Sequence, residues 1–256
     1  MRKKIFSNSF IGVVLGFLYM PIMVLIIFSF NQSKSRSLWT GFTFDWYVKL
    51  FHNQVIIKSL FNTFVVAVIS SVIATIIGTV AALGINAMNK FLRSSVMSLT
   101  YLPIINPEIV TGVSLMLLFS FLKIKFGFTT LILAHITFNT PYVILNVLPK
   151  VRQVDKYLYD AAMDLGCDQV SAFFKVIIPE IMPGIVAGFL MCLTFSFDDF
   201  IISYFTSGPT SQTLPIVIFS MTRRKVSPEI NALSTIIFVI VLIVLLLTNL
   251  KSEKNK

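Results

Sequence analysis

Six long apolar stretches, separated by polar breaks, set what this 256-residue chain can fold into. Each stretch reaches the roughly 20 residues that a helix needs to cross about 30 Å of hydrocarbon. Because a helix satisfies its own backbone polar groups in lipid, the pattern predicts an all-α membrane protein with six transmembrane helices in one domain over residues 1–256. The predicted spans cover residues 10–30, 59–86, 96–121, 129–149, 183–205 and 230–250.

The composition excludes a soluble enzyme. Only 12% of the residues are charged and 56% are hydrophobic. Soluble domains carry roughly 25% charged and about 45–50% apolar residues. In so apolar a chain, the net charge of +10 indicates basic cytoplasmic loops and attraction to anionic lipid, with no nucleic-acid partner.

The distribution of basic residues predicts the orientation of the chain. Arg2-Lys3-Lys4 precede the first stretch, and Lys251, Lys254 and Lys256 follow the last. Basic residues are enriched on the cytoplasmic side, so both termini are predicted to be cytoplasmic. The loop over residues 31–58 then lies outside. Its aromatic residues suit the lipid headgroup region, and they are Trp39, Trp46 and Tyr47.

The inner segment, residues 150–182, predicts two short helices on the cytoplasmic face. Gly166 suits a left-handed helix stop, Asp168 can cap a second helix, and Pro179 is expected to end it. Small side chains at Ala161 and Ala162 let another surface approach closely, although an ordinary interfacial hairpin has the same pattern. The apolar stripe of the first helix comprises Val154, Leu158, Ala161, Ala162 and Leu165.

The same segment resembles a known loop. Asp160-Ala161-Ala162, three residues, Gly166, nine residues and Val176-Ile177-Ile178-Pro179 match the Glu-Ala-Ala loop of bacterial ABC importer permeases. The resemblance implies an ABC importer permease (MetI-like) fold in which residues 152–180 dock on a cytoplasmic ATPase dimer. It also implies that the coupling residues are Asp160, Ala161, Ala162, Gly166 and Pro179.

A second resemblance covers about residues 5–250. The chain looks like the C-type permease subunit of spermidine/putrescine importers, which implies polyamine uptake across a bacterial cell membrane. It also implies a second homologous permease subunit and an extracytoplasmic polyamine-binding protein as partners. The motifs that carry this resemblance are Ser196-Phe197-Asp198-Asp199-Phe200, Gly208-Pro209, Leu214-Pro215 and Ser227-Pro228-Glu229-Ile230-Asn231-Ala232.

Three acidic residues fall inside predicted spans: Glu108, Asp198 and Asp199. A carboxylate near the bilayer centre costs about 2.5–3.5 kcal/mol on insertion scales, so these side chains should face the bundle interior or water. Pro103 and Pro107 should kink or break span 3 beside Glu108.

The acids and nearby aromatic residues predict a path for an organic cation. The predicted substrate path comprises Asp198, Asp199, Glu108, Tyr142, Phe197 and Tyr204, with Pro141 expected to disturb span 4. Since adjacent helical residues point 100° apart, one of Asp198 and Asp199 is expected to line the path and the other to serve a neighbouring helix or subunit. A purely structural pairing of these acids with a partner subunit is the alternative.

The chain has no Walker A sequence, no His/Cys metal cluster and no Ser-His-Asp constellation in a suitable context. It is therefore expected to have no catalytic or metal site and no cofactor of its own, with ATP and Mg used by the partner ATPase. The rival functions are an ABC permease for ferric iron or thiosulphate, and a stand-alone secondary transporter or channel. The latter needs no docking loop and often carries an inverted repeat.

Overall fold

Helices make up nearly all of the structure, as the apolar stretches predict. A computed structural model describes residues 2–34, 38–224 and 228–254, and within these ranges no β-strand is formed. The α-helices are α1 (Arg2–Ser29), α2 (Asp45–His52), α3 (Gln54–Ala87), α4 (Lys90–Ile105), α5 (Glu108–Phe121), α6 (Phe128–Gln153), α7 (Lys156–Asp164), α8 (Gln169–Ala172), α9 (Ile178–Asp198), α10 (Ile201–Thr206), α11 (Leu214–Arg224) and α12 (Pro228–Lys254).

The helices are long and apolar enough for a multi-pass membrane protein. Four continuous helical segments in the described residues meet the length and hydropathy of a membrane span: Phe10–Ser29, Gln54–Ala87, Phe128–Gln153 and Gln169–Asp198. The bent pair of α4 and α5 supplies a fifth if it is counted as one span. Helix α12 covers the sixth predicted stretch. The count of six spans is compatible with this and stays a prediction.

The chain divides into two compact units. The first unit contains Met1–Ile57 and Ile218–Lys256, and the second contains Lys58–Val217. In the first unit, α12 packs along α1 and against α2. Asn53 donates a hydrogen bond to the Glu229 carboxylate (3.0 Å), which ties the end of α2 to the start of α12.

The outer loop of the first unit folds around Asn31. The Trp46 indole N–H donates to the Asn31 carbonyl oxygen (2.7 Å), and the Tyr47 hydroxyl is 2.7 Å from that of Ser29. Trp46 is buried and Tyr47 half-buried, whereas Trp39 is exposed. The polar edge of Trp46 is therefore used inside the loop, and the location of these rings at the lipid headgroups stays a prediction.

Helix α6 is the centre of the second unit. Its buried face carries Val143, Ile144, Val147, Leu148 and Val151, which pack against α3 and α9. A second cluster joins α6 to α5 and α10 through Leu115, Phe119, Ala134, Phe138 and Ile202.

Glycines let neighbouring helices approach α6 closely. A Cβ on Gly188 would lie 3.2 Å from the Val143 Cα, and one on Gly184 would lie 2.9 Å from the Asn146 carbonyl oxygen. On α3, a Cβ on Gly78 would lie only 2.5 Å from the Val143 Cβ. These helix faces therefore have no room for a methyl group.

The C-terminal end of α3 is capped by a side chain. Arg93 donates hydrogen bonds to the carbonyl oxygens of Ile85 (3.1 Å), Asn86 (2.5 Å) and Met88 (3.0 Å). Carbonyls at the end of a helix lack intrahelical donors, so the guanidinium supplies them at a favourable end of the helix dipole. This cap fixes the short connection between α3 and α4.

We expect Gly78→Ala to destabilise the protein by about 1–3 kcal/mol, because a methyl group there overpacks the contact with α6. Gly84→Ala, on the same helix, is the matched control, since a Cβ on Gly84 would meet none of the described residues within 4 Å. It should be neutral or stabilising by up to about 1 kcal/mol through helix propensity. Thermal unfolding of the purified protein in detergent measures both, and equal midpoints for the two variants would contradict the close α3–α6 contact.

Candidate functional site

Span 3 breaks where its prolines predict. Helix α4 runs through Pro103 and ends at Ile105, and α5 begins at Glu108 after a bend of 103°. Asn106 and Pro107 form the break, which places Glu108 in the first turn of α5 with an exposed side chain. A carboxylate is electrostatically favoured at this end of a helix. A cavity of about 250 Å³ beside the bend is lined in part by Asn106, Thr111, Ser114 and Thr137.

Span 4 is not disturbed in the same way. Helix α6 continues from Phe128 to Gln153 with Pro141 inside it, so the expected disturbance does not break the helix. Pro141 is buried, and a membrane helix tolerates proline where neighbouring helices hold the turn. The close contact of α6 with α9 provides that support.

Span 5 breaks at the two aspartates, although the apolar pattern predicts one continuous helix there. Asp198 is the last residue of α9 and is exposed, whereas Asp199 is only 8% exposed. The Asp199 carboxylate accepts hydrogen bonds from the backbone N–H groups of Ile202 (3.2 Å) and Ser203 (2.7 Å). It thereby caps the first turn of α10.

A buried histidine faces the same carboxylate. His135 Nε2 on α6 lies 3.6 Å from an Asp199 oxygen and 3.1 Å from the Ser203 hydroxyl oxygen. His135 is 1% exposed. His135 is thus a partner of the break in span 5.

The three intramembrane acids lie near one another. The Glu108 carboxylate lies close enough to those of Asp198 and Asp199 for their charges to interact. The Tyr142 hydroxyl interacts with Glu108 in the same way. Two helix breaks and one face of α6 therefore bring together four of the predicted path residues. Glu108, Asp198 and Asp199 form a carboxylate cluster. This cluster is suited to a cation, because a cation lowers the repulsion between the three negative charges.

Aromatic rings lie beside this carboxylate cluster. Tyr142 packs edge-on against Phe195 (centroids 4.7 Å apart) and Phe138 (5.3 Å). Phe138 and Phe195 are absent from the predicted path, and the spacing of Phe138 and Tyr142 by four residues on α6 was the available signal. Phe197 is half-buried, and Tyr204 is half-exposed with its ring packed on Phe200 (5.5 Å).

The segment over residues 150–182 contains the predicted glycine turn. Helix α7 ends in a Schellman arrangement, with Gly166 N–H bonded to the Met163 carbonyl (2.9 Å) and Cys167 N–H to that of Ala162 (3.1 Å). Gly166 has φ +94°, a conformation that favours glycine. Asp168 then caps α8 through the Ser171 N–H (3.4 Å), and hydrogen bonds from Ser171 lower the pKa of the exposed Asp168 carboxyl.

Two details of this segment differ from the prediction. Ala162 is buried within the chain (7% exposed), so of the predicted pair only Ala161 is open to another surface. The neighbouring Leu165 is 88% exposed. Asp160 is also exposed. The exposed residues beside the glycine turn therefore include Asp160, Ala161 and Leu165.

The expectation that Pro179 ends the second short helix is wrong. Helix α8 passes through a π-helical turn, Phe173–Ile177, directly into α9, and Pro179 lies in the first turn of α9. A wider turn at this point relieves the clash between the proline ring and the preceding carbonyl groups. The second short helix and span 5 are consequently one helical segment, Gln169–Asp198. This segment joins the glycine turn to the carboxylate cluster.

Comparison with solved structures supports the class of this fold. The chain aligns with a chain of a bacterial ABC transporter for the import of alginate with a TM-score of 0.74, covering 98% of this chain and 95% of that one at 14% identity. A second alginate ABC transporter structure, in complex with a periplasmic protein bound to an alginate pentasaccharide, gives a TM-score of 0.71 at 18% identity, over 96% and 93% of the chains. The helical arrangement is that of an ABC importer permease.

Comparison of sequences shows the family. Residues 74–250 match the model of the binding-protein-dependent transport system inner membrane component, and the chain belongs to this family. It is 35% identical to the spermidine/putrescine transport system permease protein PotC of Haemophilus influenzae, over all of this chain and 99% of that protein. It is 38% identical to the putrescine transport system permease protein PotI of Escherichia coli, over 86% and 81% of the two chains.

Proposed function

We propose that this chain is a permease subunit of an ATP-driven importer that moves polyamines into the cytoplasm. The observation that carries the proposal is the convergence of Glu108, Asp198 and Asp199 at two helix breaks, in a chain similar along its whole length to a spermidine/putrescine permease. A polyamine presents several ammonium groups, and grouped carboxylates can replace part of their hydration. Tyr142 and Phe195, which are partly exposed, offer faces for cation–π contact at about 0.5–2 kcal/mol each.

The proposed path also includes Phe197 and Tyr204. Phe197 lies on α9 and Tyr204 on α10, the helices on either side of the break in span 5. No covalent chemistry is required of the chain. Its task is to lower the cost of bringing a hydrated cation into the apolar bundle.

The proposed partners follow from the family and the exposed glycine turn. A cytoplasmic ATPase dimer would dock on the segment over residues 150–182, at Asp160, Ala161 and Leu165. ATP and Mg would be used there and not by this chain. A second, homologous permease would complete the pore, and an extracytoplasmic polyamine-binding protein would deliver the substrate to the outer face of a bacterial cell membrane.

Neutralising Asp198 tests the substrate path. Asp198→Asn keeps the size of the side chain and removes its charge, so we expect uptake of labelled polyamine by reconstituted complex to fall about tenfold, equivalent to roughly 1.4 kcal/mol. Glu108→Gln should give a smaller loss, because Glu108 also begins the helix after the bend. ATP hydrolysis and assembly should be retained in both variants.

Asp45→Asn is the matched control for charge removal, since Asp45 is an exposed acid in the loop before the second span. Its uptake should equal that of the parent complex. Uptake of putrescine, spermidine and an iron chelate is compared in the same vesicles. Normal polyamine uptake in Asp198→Asn, Glu108→Gln and the double variant would refute the path, and preferential uptake of the iron chelate would refute the substrate class.

Gly166→Ala tests the coupling role of the glycine turn. An L-residue in a left-handed conformation costs roughly 1–2 kcal/mol, so the turn between α7 and α8 should be distorted. We expect less ATPase to co-purify with the permease and uptake to fall with it, while membrane insertion is unchanged. Gly84→Ala, outside the segment, is the control. Full ATPase binding and normal uptake in Gly166→Ala would show that the segment is not the coupling element.

Labelling of single cysteines tests the orientation. In a background with Cys167→Ala and Cys192→Ala, a cysteine replaces either Thr40 or Val170, both of which are exposed. An impermeant thiol reagent added outside intact cells should label position 40 and leave position 170 unlabelled until the cells are opened. The reverse pattern would mean that the termini are extracytoplasmic.

A further inference from the structure

The two adjacent aspartates have different surroundings. Asp198 is exposed at the end of α9, and Asp199 is buried with both carboxylate oxygens occupied by backbone amides. A carboxylate whose oxygens already accept hydrogen bonds from its own backbone has few acceptor positions free to bind a cation. A carboxylate at an open helix end keeps its acceptor positions for a ligand.

A side chain of another helix lies against the buried carboxylate and bonds to a residue that this carboxylate caps. His135 Nε2 lies 3.6 Å from Asp199 and 3.1 Å from the Ser203 hydroxyl, and the Ser203 N–H donates to the same Asp199 oxygen. Asp199, Ser203 and His135 thus form a closed group that ties the first turn of α10 to α6. All three residues are buried.

The end of α9 is fixed by a second group one helical turn away. Asn139 follows His135 by four residues on α6, so both face the same side of the helix. Asn139 donates to the Ser196 hydroxyl (2.6 Å), which is 3.3 Å from the Ser70 hydroxyl on α3. One face of α6 therefore fixes α9 before the break and α10 after it, and Asp198 lies between the two attachments.

We propose that the two aspartates divide the work, with Asp198 contacting the cation and Asp199 acting with His135 as a positioning pair that fixes the break presenting Asp198. The part that concerns Asp198 rests on the proposed function. The part that concerns Asp199 and His135 rests on the hydrogen bonds and the burial, and it is testable without any substrate.

Substitution by asparagine and by alanine separates the two roles. Asparagine keeps one acceptor oxygen for the two backbone amides of α10, whereas alanine provides none. Asp199→Asn should therefore lower the thermal unfolding midpoint less than Asp199→Ala does, and Asp199→Ala should also lower uptake. Asp198→Asn and Asp198→Ala should keep the midpoint, and both should raise the KM for uptake about tenfold.

The charge of the substrate gives a second readout. Spermidine carries one more ammonium group than putrescine, so loss of a contacting carboxylate should raise the KM for spermidine more than that for putrescine. Loss of a positioning residue should instead lower the maximal rate for both substrates by the same factor. We expect the first pattern for Asp198→Asn and the second for Asp199→Ala.

Substitution of His135 keeps the test decisive if Asp199→Ala does not fold. His135→Gln retains a side-chain N–H near the position of Nε2, and His135→Leu removes it. We expect His135→Gln to resemble the parent and His135→Leu to lower the maximal rate with an unchanged KM. Thr79→Val is the control for polar-to-apolar change in the bundle, because the buried Thr79 hydroxyl has no hydrogen-bond partner within the described part of the chain.

Two results would overturn the division of work, and they differ from failure of the proposed function. A charge-dependent rise in KM for Asp199→Asn would assign substrate contact to Asp199. Equal unfolding midpoints for Asp199→Ala and Asp199→Asn would remove its positioning role. If polyamine uptake is insensitive to Asp198→Asn while the midpoints behave as expected, the substrate path fails and the positioning pair stands.

Discussion

A helix break inside an apolar bundle leaves backbone amides that lipid cannot hydrogen-bond, so the chain must satisfy them itself. At the break in span 5, the Asp199 carboxylate accepts from two amides of α10 and faces His135 on α6. The carboxylate cluster of the candidate site depends on this arrangement, because the break determines where α9 ends and therefore where Asp198 lies. The bend at Asn106-Pro107 does the same for Glu108, with proline removing the donor that a continuous helix would need.

Helix α6 links the packing of the second unit to its polar site. Its apolar face receives the glycines of α3 and α9 at distances that exclude a side chain, and its polar positions His135 and Asn139 hold the two sides of the break. Close packing of this kind transmits small displacements, since interiors have few voids in which to absorb them. The carboxylate cluster therefore lies beside α6, a helix that is tightly packed against its neighbours.

The helical segment Gln169–Asp198 connects two functions proposed for the chain. One end begins after the glycine turn, and the other end carries Asp198. At about 1.5 Å per residue a helix of this length spans roughly 45 Å, the thickness of a bilayer with its headgroups. One continuous helical segment therefore joins the glycine turn to the carboxylate cluster.

The sequence by itself determined that the protein is a helical membrane protein, because hydropathy and proline positions act through local chemistry. The spacing from Asp160 to Pro179 added the permease class through its resemblance to a known loop. The sequence predicted the membrane helices, the break beside Glu108 and the left-handed glycine turn. Only the tertiary structure decided that Ala162 is buried, that Pro179 continues a helix, and that Trp46 uses its indole N–H inside a loop. It also distinguished Asp198 from Asp199 and brought His135 to the break, since these depend on which helices pack together, and no periodicity in one segment encodes its neighbours.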